Sequence, residues 1–167
     1  MPYSMMAMSL FATDGIVKYL IEKKESIGHE KQGPGGKVII KKYHNRGAML
    51  NIGDKNQHFV ALLSLVFSAF VTGMFVVTLG MKGKGLLKTG LALILGGAYS
   101  NTYDRLKRKY VVDYLSFHIT MKKCSCKLLN KIADKFSAVV FNISDFGIII
   151  GAMLLVISEL KPNKPGR

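Results

Sequence analysis

Two short stretches of this chain place carboxylates where they could do chemistry. Asn101 to Asp113 reads NTYDRLKRKYVVD, and Phe141 to Asp145 reads FNISD. Asp104 and Arg105 close a run of apolar and small residues, and Asp113 follows Val111 and Val112. Asp145 lies in a run otherwise free of charge from Phe136 to Ser158. An ionisable group at membrane depth costs about 2.5–3.5 kcal/mol on insertion scales, so such a residue marks a functional site with a partner. Two carboxylates close together in a low-dielectric site cannot both ionise, and the pair then offers an acid and a base at neutral pH. It can activate water against a peptide carbonyl and protonate the leaving nitrogen without a covalent nucleophile. Asp113 and Asp145 are the expected pair. Asn142, one helical turn from Asp145, is placed to orient a carboxylate or a substrate carbonyl. Asp104 with Arg105 reads as a charged pair locking a helix end to the next loop.

The elements that must position these groups are apolar helices. Phe59 to Met81 carries no charge and is long enough to cross a hydrocarbon core of roughly 30 Å at about 1.5 Å per residue. Tyr3 to Leu20 reads as a first, imperfect span, broken by Asp14 and Lys18. These are four residues apart, so they share a helical face and can pair. Leu86 to Tyr103 and Phe136 to Ser158 are the third and fourth spans. Asn101, Asp104 and Arg105 fall on one face of the third. Between the first two spans, Pro34 to Gly36 mark a turn, and the β-branched centre of Lys37 to Tyr43 predicts a short strand. Tyr110 to Ile119 reads as a second extended segment, and Thr120 to Lys135 as a basic connection holding an amphipathic turn. The expectation is a single domain over residues 1–167: an all-α membrane protein of four transmembrane helices, with the aspartates meeting at one end.

Composition narrows the classes. Residues are 49% hydrophobic and 20% charged, with a formal net charge of +14. The basic residues sit between the apolar runs, and no nucleic-acid motif accompanies them, so no nucleic-acid partner is expected. Cys124 and Cys126 with His118 are too few for a recognisable metal site and read as ordinary thiols. No cleavable signal peptide is evident. Spacing alone leaves three readings open: a peptidase, a small proton-linked transporter using intramembrane carboxylates, and a structural polar network. A transporter needs a polar path across the whole membrane, whereas here the polar groups concentrate at one side.

The motifs favour the first reading. GGAYSNTYDRLKRKYVVDY with VFNISD closely resembles the bacterial lipoprotein signal peptidase (signal peptidase II) family, whose patterns are G-N-x-x-D-R, V-V-D-[FY] and F-N-x-A-D. Asp14 and Lys18 match a first-helix D-x-x-x-K, and Asn45-Arg46-Gly47-Ala48 matches N-x-G-A. The resemblance covers essentially the whole chain. It implies an aspartyl endopeptidase that removes signal peptides from diacylglyceryl-modified prolipoproteins, cutting before the lipidated cysteine, with Asp113 and Asp145 as the catalytic dyad and no metal or organic cofactor. Asp14, Lys18, Asn45, Gly47, Asn101, Asp104, Arg105 and Asn142 would support the site or touch substrate, and the segment around Lys37 to Leu50 would form an extracytoplasmic β-like cradle. The implied location is the bacterial inner membrane, multi-pass, with the site facing outward, membrane lipids as neighbours and a monomer as the working unit. Ser100, Ser144 and Gly15 depart from the family's usual Gly, Ala and Gln, which points to differences in fine substrate preference. Met49-Leu50 stands where Ala-Phe is common.

One feature opposes that orientation. Nine Lys and Arg fall in residues 18–58 and nine in 104–137, against three in 82–88 and three in the tail. The positive-inside rule alone puts the two basic connections, and the site with them, in the cytoplasm. An exported lipoprotein substrate requires the opposite.

Overall fold

The computed structural model describes residues 2–33, 36–47, 56–117 and 139–160. Among them are four long helices and a small antiparallel sheet: α1 (Pro2–Lys24), β1 (Glu30–Gln32), β2 (Val38–Asn45), α2 (Gln57–Leu79), α3 (Gly85–Arg108), β3 (Val111–Phe117), β4 (Val140–Phe141) and α4 (Ile143–Leu160).

Helix α3 is the central post, packed against α1, α2 and α4. Its small residues make this possible. A Cβ at Gly97 would lie 2.5 Å from the Ser144 carbonyl oxygen, and one at Gly151 would lie 2.6 Å from the Gly90 carbonyl oxygen. The α3 and α4 backbones are therefore in direct contact, the close approach that small residues permit where water supplies no driving force. The apolar core joins Ala7, Val71, Phe75, Leu91, Ala92, Ile94 and Leu95 from α1, α2 and α3. On α2, Leu62, Val66, Phe70 and Val77 are more than half exposed, as expected of a face in contact with lipid.

Among the described residues two helices, α2 and α4, are apolar and long enough to cross a membrane. The other two expected spans, α1 and α3, are long but carry more polar residues, because those residues face each other. Asp14 and Lys18 of α1 are buried against Ser100, Asn101 and Asp104 of α3, and Thr102 of α3 is buried against Ser68 of α2. The segments expected as a short strand over Lys37–Tyr43, an extended stretch from Tyr110 and a β-like cradle are joined in one sheet. The sheet has order β1-β2-β3-β4, all antiparallel, with Tyr43 opposite Asp113 and Leu115 opposite Phe141. The fold is thus mostly helical with a four-stranded sheet.

The expected fourth span starting at Phe136 is corrected at its beginning. Val140 and Phe141 pair with β3, and the helix starts only at Ile143. The reason is local: Asn142 caps the helix, as described below. Helix α3 in turn runs beyond Tyr103 to Arg108 and stops at Lys109, whose φ of 69° is the left-handed conformation of a helix C-cap. Only two residues then separate α3 from β3, which fixes Asp113 relative to Asp104 and Asn101. In β2 the register shifts between Ile40 and Tyr43, where Lys41 and Lys42 of β2 lie opposite Tyr114 of β3. Such a bulge re-aims the side chains beyond it, here Tyr43 to Asn45. The expected amphipathic turn over Thr120 to Lys135, and His118, Cys124 and Cys126, lie outside the described residues.

Candidate active site

Asp113 sits in β3 with both faces covered, 2% exposed. Asp145 lies in the first turn of α4. Asn142 ties them together. Its Nδ2 donates to Asp113 Oδ1 at 2.7 Å, its Oδ1 accepts from the Asp145 backbone N–H at 2.9 Å, and its own backbone N–H donates to Asp145 Oδ2 at 3.0 Å. The last two bonds are a capping box with Asn and Asp in place of Ser/Thr and Glu. The spacing N-x-x-D thus starts the helix and fixes the rotamer of one aspartate while its amide holds the other.

The remaining carboxylate oxygens are held by two more asparagines. Asn45 Nδ2 donates to Asp113 Oδ2 at 3.0 Å, and Asn101 Nδ2 donates to Asp145 Oδ1 at 3.0 Å. Asn101 Oδ1 accepts from Lys18 Nζ at 2.8 Å and from Asn142 Nδ2 at 3.2 Å. An ammonium has no acceptor, so Lys18 forces the oxygen of Asn101 toward itself and the NH2 toward Asp145. Burial, and next the charge of Asp145, push Asp113 up to about 7. A carboxyl group with that value is half-protonated near neutrality, which suits a group that exchanges a proton during a reaction.

Behind these groups lies a buried polar network. Lys18 is 1% exposed and pairs with Asp14 at 2.7 Å and Asp104 at 3.3 Å. Asp14, fully buried, accepts from Ser100 Oγ and Ser144 Oγ at 2.6 Å each and from Tyr114 Oη at 2.9 Å. Tyr114 Oη in turn accepts the Ile143 N–H at 3.1 Å. Asp104 also accepts the Val112 N–H at 3.4 Å and pairs with Arg108 at 3.4 Å.

All ten residues singled out from sequence enter this arrangement, but two roles change. Asp104 pairs with Lys18 and Arg108, not with Arg105, whose side chain on an adjacent position of α3 points elsewhere. Arg105 Nη2 donates to the Gly47 carbonyl at 3.2 Å, and Gly47 N–H donates to Asn45 Oδ1 at 3.2 Å, so Arg105 acts on the β2 end that carries Asn45. Ser100 and Ser144, read as bearing on substrate preference, instead bond Asp14. Tyr114 was not singled out at all; its place immediately after Asp113 was the only signal. A second cluster was also missed. Glu22 accepts from Tyr110 Oη at 2.7 Å and pairs with Lys42 at 3.1 Å and His44 at 2.8 Å, joining α1 to β2 and to the α3–β3 corner. No group of three or more His, Cys, Asp or Glu among the described residues has the geometry to hold a metal ion.

A helical membrane scaffold carrying a buried, asparagine-braced aspartate pair defines a class of membrane hydrolase. The comparisons narrow it. The model of the signal peptidase (SPase) II family matches residues 6–161, and the chain belongs to that family of proteases. It is 32% identical over 156 residues to the lipoprotein signal peptidase of Clostridium tetani, covering 90% of this chain and 86% of that one. Two structures of a bacterial membrane enzyme determined by the in meso method share the fold. One has a TM-score of 0.76 at 20% identity over 99% of this chain and 94% of that chain. The other has a TM-score of 0.73 at 21% identity over 97% and 94%.

Proposed function

We propose that this signal peptidase II removes signal peptides from diacylglyceryl-modified prolipoproteins with Asp113 and Asp145 as its catalytic dyad. The observation that carries this reading is the bonding of both aspartates to one residue, Asn142. In the proposed cycle Asp145, facing the N-terminal end of α4, is the carboxylate that takes a proton from water. The hydroxide attacks the carbonyl before the lipidated cysteine. Asp113 gives its proton to the leaving nitrogen, which leaves the dyad's single proton on Asp145, and its return to Asp113 as the product leaves resets the pair. No cofactor is required by these steps.

In the same reading, α1 to α4 all cross the membrane as a monomeric unit, with the sheet and dyad at the extracytoplasmic face of the inner membrane. The apolar outer faces of α2 and α4 support the spans, and the dyad's position beside the sheet supports a site at the interface. The basic connections then lie outside, where anionic headgroups offset their charge.

The test is to incubate the purified protein with a lipoprotein precursor, with and without the diacylglyceryl group, and to identify products by mass spectrometry. A cut immediately before the modified cysteine, on the lipidated precursor only, is the expected result. Cleavage elsewhere, or equal cleavage of both precursors, contradicts the substrate assignment.

A further inference from the structure

A lateral groove runs between α1 and α3 beside the buried network, whose Ser100 and Asp104 line its upper part. Its upper half, about 500 Å³, is bordered by Gly15, Tyr19, Tyr103, Lys107 and Arg108. Its lower half, about 340 Å³, is apolar and bordered by Met8, Phe75, Leu95 and Tyr99. Phe11 lines both halves, so the two adjoin along α1. Gly15 keeps the α1 wall open, since a Cβ there would meet nothing within 4 Å.

We propose that this groove binds an anionic phospholipid, with the headgroup at Lys107 and Arg108 and one acyl chain along Tyr103, Phe11 and Tyr99. Three observations commit to that occupant. The first is length: Arg108 to Leu95 along α3 covers roughly 20 Å at about 1.5 Å per residue, close to half of a bilayer of about 40–45 Å with its headgroups. The second is polarity, which runs from charged at the mouth, where Lys107 and Arg108 stand beside Asp104, to apolar at depth. The third is charge. Lys107 Nζ is anchored over Tyr103, 2.9 Å from its hydroxyl and 5.3 Å from its ring centre. Arg108 is spread toward Asp104, and its Nη1 has no hydrogen-bond acceptor among the described residues. An unpaired guanidinium N–H is costly where water is scarce, and rotation of the group toward a phosphate supplies the acceptor. The phosphate then extends an alternating series of charges through Arg108, Asp104, Lys18 and Asp14.

The chain contains no tryptophan, so Phe11→Trp makes a unique probe in the groove. Its fluorescence is titrated in detergent micelles with phosphatidylglycerol or phosphatidylcholine carrying brominated chains. Phosphatidylglycerol is expected to quench at several-fold lower mole fraction. Lys107→Gln and Arg108→Gln in the probe background bring it to the phosphatidylcholine level. Lys107→Gln leaves the Arg108–Asp104 pair in place and guards against loss of folding. Gly15→Leu, which narrows the groove without changing charge, weakens quenching by both lipids. A control probe, Phe67→Trp on the outer face of α2, shows no preference. Equal quenching by the two lipids at position 11, as a groove for an uncharged diacylglyceryl group would give, overturns the proposal. So does a preference that survives both charge substitutions or appears equally at position 67.

Discussion

Asn142 and Asp145 hold each other across the first turn of α4: the Asn142 side chain accepts the Asp145 backbone N–H at 2.9 Å, and Asp145 Oδ2 accepts the Asn142 backbone N–H at 3.0 Å. One residue therefore starts the helix, orients one carboxylate of the proposed dyad and, through its amide, bonds the other. Helix capping and site geometry are coupled at this point, and they can be separated by substitution.

Asn142→Ser keeps a capping oxygen but loses the amide donor to Asp113, whereas Asn142→Ala loses both. Loss of an N-cap costs about 0.5–2 kcal/mol. Removal of a group that orients a reacting centre costs roughly 10–100-fold by analogy with outer-shell ligands. Asn142→Ser is therefore expected to unfold near the wild-type midpoint with activity down by that factor, and Asn142→Ala to lose both. Denaturant melts and precursor cleavage rates measure the two quantities separately. Full activity in Asn142→Ser would show that the amide has no role.

The raised value of Asp113 has a consequence for stability. Its carboxyl is held near 7 in the folded protein, against 3.8 for an ordinary aspartate. Between those values the folded state binds more protons than the unfolded state, so the contribution of Asp113 is fully present below about 4 and lost as pH rises through about 7. Asp113→Asn does not titrate. Its stability relative to wild type should rise by up to about 1.4 kcal/mol per pH unit across that window and level off above it. Thermal midpoints of the two proteins from pH 4 to pH 8 test the slope. A constant difference would mean that Asp113 is not perturbed.

The α3–α4 seam tolerates no added volume. Gly97→Ala forces its Cβ against the Ser144 carbonyl, one residue before Asp145. Overpacking of this kind costs about 1–3 kcal/mol, and the displacement moves Asp145 from the Asn101 amide. Activity is expected to fall at least as steeply as stability. Gly15→Ala, which meets nothing within 4 Å, is the matched control and should change neither. Equal behaviour of the two variants would contradict the seam.

Lys18 is buried between two carboxylates at 2.7 and 3.3 Å. Removing one partner of a buried ionic group costs about 3–5 kcal/mol because the other charges remain uncompensated. Lys18→Met is expected to destabilise by that order, and Asp14→Asn added to it should recover part of the loss. A double-mutant cycle read by chemical denaturation gives the coupling; additive losses would place Lys18 and Asp14 in independent roles.

The proposed dyad and Asn142 stood out in the sequence because aspartates inside apolar runs need partners and because N-x-x-D puts Asn142 one turn from Asp145; Asn101 and Asn45 reach their aspartates across 44 and 68 residues, and only the family motifs singled them out. The Asp14–Lys18 pair followed from i,i+4 spacing alone. The sheet was half legible: alternation and β-branching marked β2 and β3, but β1 (EKQ) has no apolar signal and β4 is two residues long inside an apolar run that reads as helix. Long-range bonds were not legible. Ser100 and Ser144 are 86 and 130 residues from Asp14 in the chain, and only packing of α1 against α3 and α4 brings them together. Asp104 and Arg105 misled for the opposite reason. They are neighbours in sequence, but successive positions on a helix point about 100° apart and do not face each other.

The central claim is that Asp113 and Asp145 together carry the reaction. The most direct measurement is single-turnover cleavage of a diacylglyceryl-modified precursor by wild type, Asp113→Asn, Asp145→Asn and the double variant, each first shown to be folded by circular dichroism and thermal melting. Either substitution is expected to abolish cleavage, and the double variant to be no worse than the single ones, because the two groups act as a unit. Substantial cleavage by either folded single variant would contradict that claim.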